Sequence, residues 1–189
     1  GASGFVGSHV VREMLDHDFE GACAKLPALP FHADLRDYQR KANTDIERAI
    51  TDHKRRLLVA MATGTGKTFT LVSEIYRLMK AGVVRRVLFL VDRRAHAAQA
   101  AGAFAKFQAE PGLWFPEIYN VYSSGFQRDL PEDDDADDDA PAGKKKPPRF
   151  DPERLPQDRL THPRTEDPFV YVCTIQRMAT HILGRQAVF

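Results

Sequence analysis

The sequence predicts an α/β fold, a mostly parallel sheet flanked by helices. Three observations point to it. Residues 57–61 and 87–91 are short apolar runs of strand length. Between them Thr68, Leu71, Val72, Ile75, Leu78 and Met79 recur at helical spacing, and Gly82 supplies a stop. Strand, helix, strand in that order implies a parallel pair joined by a crossover. A glycine-rich segment, residues 62–68, lies where the first run meets the helix.

The remaining elements follow in chain order. Residues 9–25 read as a helical stretch that Pro27 and Pro30 break. A second helix is expected over 34–52. Leu35, Tyr38, Ala42, Ile46, Ala49 and Ile50 fall at three- and four-residue spacing and mark its apolar face. Residues 95–107 are alanine-rich and read as a further helix ending on Phe104 and Phe107. Residues 117–122 and 169–175 read as two more strands. The domain plan is therefore a helical and linker segment over 1–33 and one nucleotide-binding domain over 34–189. An acidic insert at about 129–150 interrupts that domain. Its Asp, Pro, Lys and Gly offer too little apolar surface to offset the entropy of ordering, so it is expected to be a disordered loop.

Composition narrows the class. The chain has 189 residues with 43% hydrophobic and 28% charged content, values of an ordinary globular domain. No apolar run approaches the roughly 18 residues that cross a membrane, and the first 20 residues have no signal-peptide pattern. Neither Cys23 nor Cys173 belongs to a metal-ligand or Cys-x-x-Cys pattern, which excludes a disulfide framework or zinc site and fits reduced thiols in the cytoplasm. The net charge of +1 hides an asymmetry. Seven of the 26 acids lie in residues 131–143, and the other 19 face 27 bases. A basic body with one acidic insert is compatible with a nucleic-acid partner.

The segment Ala62, Thr63, Gly64, Thr65, Gly66, Lys67, Thr68 carries the chemistry. Glycines let the backbone curl so that its N–H groups face phosphate oxygens. The helix that follows adds its dipole. Lys67 is placed to reach the β- and γ-phosphates of ATP, and the Thr68 hydroxyl to ligate Mg²⁺. The usual pattern begins with Gly or Ala where this chain has Met61.

The form Ala-Thr-Gly-Thr-Gly-Lys-Thr resembles the first ATPase motif of superfamily 2 helicases and translocases, which implies a partial RecA-like domain. Other residues then align with that superfamily. Tyr38 and Gln39 lie 28 residues or so before Lys67, where it has a glutamine motif. The resemblance implies that Gln39 reads the adenine edge while Tyr38 packs on the base. Val87 to Ala95, continuing to Gln99, resembles the motif after the second strand. Arg93, Arg94 and Gln99 are its implied contacts to the nucleic-acid backbone. Val172 to Met178 resembles the next motif, in which Thr174 and Gln176 approach the strand; a helix N-cap is the alternative role for Thr174.

Residues 31–189 look most like the motor region of the restriction subunit of type I restriction enzymes. The resemblance implies an ATP-driven translocase acting on double-stranded DNA, with modification and specificity subunits as partners, in a bacterial or archaeal cytoplasm. A motor of this kind also uses an Asp-Glu-x-His motif, which this sequence lacks. Gly1 in place of Met, and the end at Phe189, suggest a piece of a longer protein that stops before that motif. On that basis the chain alone is expected to hydrolyse ATP poorly or not at all. Two other readings remain open. A non-catalytic nucleotide- and nucleic-acid-binding module shares the loop and the basic body. An NAD-dependent epimerase remnant rests on Gly1, Gly4 and Gly7, but no strand precedes them and no acidic ribose ligand follows at the required distance.

Overall fold

The computed structural model describes residues 18–123 and 168–179. The Gly1–Gly7 motif, the start of the predicted first helix and the acidic insert lie outside the described residues. The chain divides into two units, one through Val84 and one from Arg85.

The first unit is helical. Asp18 opens α1 (Phe19–Lys25), its carboxylate accepting from the Gly21 N–H at 2.9 Å. A 3₁₀ turn, Leu26–Ala28, follows, with Pro27 in its first turn. Helix α2 spans Asp37–Thr51 and α3 spans Lys67–Ala81. Gly66 and Gly82 bracket α3 with φ of +78° and +83°, left-handed positions that glycine adopts at no steric cost. An apolar cluster of Ala22, Cys23, Leu26, Leu78, Ala81 and Val83 joins α1 to the last turn of α3.

Two expectations fail in this unit. Residues 57–61 form no strand, and no described strand pairs with them; Leu58 is 95% exposed. An apolar run becomes a strand only when a neighbour takes its backbone groups, so the predicted parallel pair with residues 87–91 is absent. The apolar face assigned to α2 is also not the buried one. Leu35 is buried, but on the helix itself Gln39, Asn43 and Glu47 turn inward, Tyr38 is exposed, and Ala42, Ile46, Ala49 and Ile50 are half-buried. The reason lies across the seam, where α3 presents Thr70, Ser73, Glu74 and Arg77, all buried. Polar groups there draw the polar side of α2 inward.

The second unit holds the sheet. Strand β1 (Arg86–Val91) leads to α4 (Arg94–Ala105). A short antiparallel ribbon of β2 (Gln108–Glu110) and β3 (Leu113–Trp114) turns at Gly112. Then come α5 (Phe115–Ile118), β4 (Asn120–Ser123), β5 (Phe169–Thr174) and the short α6 (Ile175–Arg177). The strand order is β1-β5-β4 and both pairings are parallel. Central β5 is buried along its whole length, as its unbroken apolar run requires. Phe104, Phe107 and Phe115 pack edge to face beneath it, and Phe104 meets Phe89 of β1 in the same way.

The strand expected over 117–122 is replaced at its start by α5. Pro116 fits a first helical turn, and Glu117 accepts from the Trp114 N–H at 2.7 Å. Extended structure therefore begins only at Asn120. Helix α4 ends at Ala105, not 107. The Phe107 carbonyl accepts instead from Phe115 N at 2.9 Å, so Phe107 enters the ribbon.

Candidate nucleotide-binding loop

The loop occupies the entry to α3. Gly64 and Gly66 both have left-handed φ, +79° and +78°. At Gly64 the space around a Cβ is open, so conformation alone requires glycine there. At Gly66 a Cβ would also lie 2.6 Å from Gln39 Nε2, so sterics and conformation coincide. Thr65 N–H and Thr65 Oγ1 both donate to the Ala62 carbonyl, at 3.4 and 2.7 Å, and close the curl.

Helix α2 braces this loop. Tyr38 Oη and Gln39 Nε2 donate to one acceptor, the Thr65 carbonyl, at 3.0 and 2.9 Å. Gln39 Oε1 accepts from the Arg36 N–H at 2.9 Å, and Arg36 Nη1 donates to Tyr38 Oη at 3.2 Å. Gln39 is 4% exposed. Both ends of its amide are thus engaged within the protein. Arg36 is a member of this network that sequence reasoning missed; its signal was the position immediately before α2, beside Tyr38 and Gln39.

Lys67 is exposed and its Nζ donates to the Met61 and Ala62 carbonyls at 3.2 and 3.0 Å. The ammonium therefore sits over the mouth of the loop. Thr63 is exposed beside it and Thr68 is half-buried in the first turn of α3. The first N–H groups of a helix have no intrahelical acceptor, so this end of α3 suits an anion. A cleft of about 330 Å³ adjoins the loop, with Tyr38, Lys41 and Asp45 of α2 on one wall and Val59, Met61 and Thr65 on the other. Lys41 donates to Asp45 at 2.7 Å and holds that carboxyl below its usual range.

Sequence reasoning also missed a buried polar seam behind the loop. Arg77 Nε donates to Glu47 at 2.6 Å, and its other nitrogens donate to the carbonyls of Leu26, Leu29 and Pro30. The guanidinium lies 4.0 Å from the Phe31 ring centroid. Burial, with the nearby Glu47 charge, pushes the Glu74 carboxyl up to about 8, against a partial opposing pull from Arg77. The signal was the recurrence of Gln39, Asn43 and Glu47 at every fourth position.

In the second unit, Val91 and Thr174 are register partners at the carboxyl ends of β1 and β5. Arg93 and Arg94 follow β1 after Asp92, and Gln176 follows β5 after Ile175; these three are exposed, as is Gln99 further along α4. Thr174 is buried and its hydroxyl accepts from Arg177 N at 3.3 Å, so it caps α6. Asp92 is shared between His96 Nδ1 at 2.6 Å and Arg93 Nε at 3.7 Å, and the His96 hydrogen bond holds its carboxyl below the usual range.

Residues 32–187 match the family described as type III restriction enzyme, res subunit. The chain belongs to that family. It is also 41% identical over 99 residues, 52% of its length, to the type I restriction enzyme EcoKI endonuclease subunit of Escherichia coli K12. Over 58 residues, 31% of its length, it is 45% identical to the EcoAI endonuclease subunit of Escherichia coli. These alignments span 8% and 7% of those two subunits, so the chain corresponds to a small part of each. No solved structure matches. The resemblance to type I restriction subunits and the α/β class with a parallel, helix-flanked sheet, consistent with a partial RecA-like domain, both hold. The family is a helicase-like one of restriction enzymes. Among the described residues no helix is long and apolar enough to cross a membrane, and no group of acids, histidines and cysteines is placed to hold a metal ion.

Proposed function

We propose that this chain is the nucleotide-binding part of an ATP-dependent DNA translocase of the kind found in type I restriction endonuclease subunits. One observation carries the reading. A glycine loop with two left-handed residues opens a 15-residue helix at an exposed lysine. That geometry suits a triphosphate on the loop N–H groups, with Lys67 leaving its carbonyl partners for the β- and γ-phosphates. Thr68 is the residue that would hold Mg²⁺ alongside the phosphates. The metal, when bound, supplies charge neutralisation to the phosphoryl group; the protein's part is to bind and orient the nucleotide. Tyr38, on the wall of the adjoining cleft, packs on the base in this reading. Gln39 is buried and bonded to Arg36 and Thr65, which makes holding the loop its first role; its second N–H and second lone pair are what it has left for adenine.

Arg93, Arg94, Gln99 and Gln176 provide the contacts to double-stranded DNA, with Thr174 fixing the turn that presents Gln176. Modification and specificity subunits complete the assembly, in a bacterial or archaeal cytoplasm. Calorimetric titration with ATP and Mg²⁺ tests the central assignment. Binding that disappears in Lys67→Ala supports it, and binding that survives in Lys67→Ala overturns it. DNA-stimulated hydrolysis in the intact subunit separates a motor from a non-catalytic binding module.

A further inference from the structure

His96 is held at one ring nitrogen and open at the other. Its Nδ1 meets Asp92 Oδ1 at 2.6 Å, across the first turn of α4. The Asp92 carboxyl is held below its usual range, so at neutral pH it is an anion that only accepts hydrogen bonds. The proton of this hydrogen bond therefore belongs to Nδ1. Nε2 has no hydrogen-bond partner among the described residues, and the side chain is 55% exposed.

The neighbours of the ring point to what Nε2 meets. Arg93 lies three residues before His96 and Gln99 three residues after it, one helical turn each way. All three are exposed, whereas Ala97, Ala98, Ala100 and Ala101 are buried. Helix α4 thus turns its alanines inward and carries Arg93, His96 and Gln99 along its outer face. The charges around the ring are the Asp92 carboxylate bonded to it and the Arg93 guanidinium, which reaches the other Asp92 oxygen at 3.7 Å. Arg94 belongs to the same turn, and Arg177 follows the neighbouring strand β5 on α6. Arg93 and Arg94 outnumber Asp92 by one charge, and a protonated ring raises that excess to two.

Only one form of the ring suits a phosphate. A neutral ring with its proton on Nδ1 offers a lone pair at Nε2, which phosphate oxygens repel. An imidazolium offers an N–H at Nε2 and keeps its hydrogen bond to Asp92. The charge-assisted contact to a phosphate oxygen therefore exists in the protonated state alone.

We propose that His96 is a further phosphate contact of this face, made by Nε2–H of the imidazolium, with Asp92 as the residue that positions the ring; this rests on the reading of Arg93, Arg94 and Gln99 as DNA contacts. Duplex binding then takes up a proton at His96.

Fluorescence anisotropy of a labelled duplex titrated with this chain tests the contact across about pH 5–8, the range in which histidine changes charge. Wild-type affinity is expected to fall roughly tenfold as pH rises through it. His96→Gln has no proton to gain. It is expected to match wild type at the high-pH end and to bind roughly tenfold more weakly at the low-pH end. There alone, its slope of log affinity against log salt is expected to be smaller by about 1. His96→Lys stays charged throughout and is expected to bind with little pH dependence; a variant no tighter than His96→Gln counts against the contact. Identical pH profiles in wild type and His96→Gln overturn this inference alone. Absence of duplex binding at every pH removes the DNA reading of Arg93 and Arg94 together with it. Positioning by Asp92 is read without DNA, from the ring nitrogen chemical shifts at the high-pH end. They are expected to place the single proton on Nδ1 in wild type and to lose that preference in Asp92→Ala. A wild-type ring protonated at Nε2 overturns the positioning role.

Discussion

Gln39 Nε2 donates to the Thr65 carbonyl at 2.9 Å, and the same amide accepts from the Arg36 N–H through its oxygen. One buried side chain thereby links the start of α2 to the crest of the phosphate loop, 26 residues away. Tyr38 Oη reaches the same carbonyl from the exposed side. The loop is therefore held in its curled form, and under the proposed function this lowers the ordering cost of binding an anion.

This brace gives the first prediction. Tyr38→Phe removes one of the two donors to Thr65 and keeps the ring. A hydrogen bond of this type is worth about 0.5–1.5 kcal/mol, so ATP affinity is expected to fall about 2- to 10-fold with unchanged overall stability. Gln39→Leu also strands the Arg36 N–H and is expected to cost more. Titration of both variants beside wild type checks the order; a Tyr38→Phe loss exceeding that of Gln39→Leu contradicts it.

Lys67→Ala separates affinity from stability. Lys67 is exposed and its ammonium donates to two loop carbonyls. The urea midpoint is expected to stay within the change typical of surface substitutions, about 0.5 kcal/mol. ATP binding is expected to fall by at least about tenfold, as a charge-assisted contact to phosphate is lost. ADP is expected to lose less than ATP, because the γ-phosphate contact is missing from it already.

Breaking the buried pair is expected to be expensive. Arg77 and Glu47 meet at 2.6 Å, with side-chain exposures of 3% and 11%. Removing one partner of such a pair leaves a buried charge and typically costs about 3–5 kcal/mol. Glu47→Ala and Arg77→Ala are each expected in that range by denaturant unfolding. Arg77→Ala also abandons the carbonyls of Leu26, Leu29 and Pro30, so it is expected to be the worse of the two.

The sequence made some of this legible and hid the rest for physical reasons. Helix α3, strands β1 and β5, and the loop were readable because local signals and tertiary packing agree there. Gly66 and Gly82 punctuate α3, and β5 is an uninterrupted apolar run that fits the centre of a parallel sheet. Residues 57–61 have an equally apolar run, yet no strand forms, because strand pairing is a property of two segments and periodicity reports on one. The face of α2 was misread for a related reason. Its apolar positions are mostly small or half-buried, while Asn43 and Glu47 find their burial through residues on α3, which no window on α2 contains. Spacing did bring Tyr38 and Gln39 to the loop, although their hydrogen bonds go to Thr65, a contact that a motif alone does not specify.

Stability is expected to depend on pH through Glu74. Its carboxyl is raised from an ordinary 4.5 to about 8 by burial. Between those values the folded chain keeps a proton that the unfolded chain has released, so stability falls as pH rises from about 4.5 to about 8 and levels off above that. It is fully present below 4.5. The full difference corresponds to at most about 5 kcal/mol, and relaxation of the seam reduces it. Urea unfolding at a series of pH values is expected to show this decline in wild type and to lose that component in Glu74→Gln. A rise in stability across the same window assigned to Glu74 contradicts the sign.

The second unit makes a prediction that salt can read. Arg93 and Arg94 are exposed beyond the end of β1, beside the end of β5 where Gln176 emerges. Each arginine that meets a DNA phosphate releases about one counterion, so each arginine-to-alanine change is expected to reduce the slope of log affinity against log salt by about 1. The loss is expected to be the same for unrelated duplex sequences, since phosphate contacts carry no base information. Asp92 lies within reach of Arg93 and adds negative charge beside it. Asp92→Asn is therefore expected to strengthen duplex binding at low salt, with the gain fading as salt rises. If all three variants leave the salt slope of the intact subunit unchanged, DNA passes elsewhere on the protein.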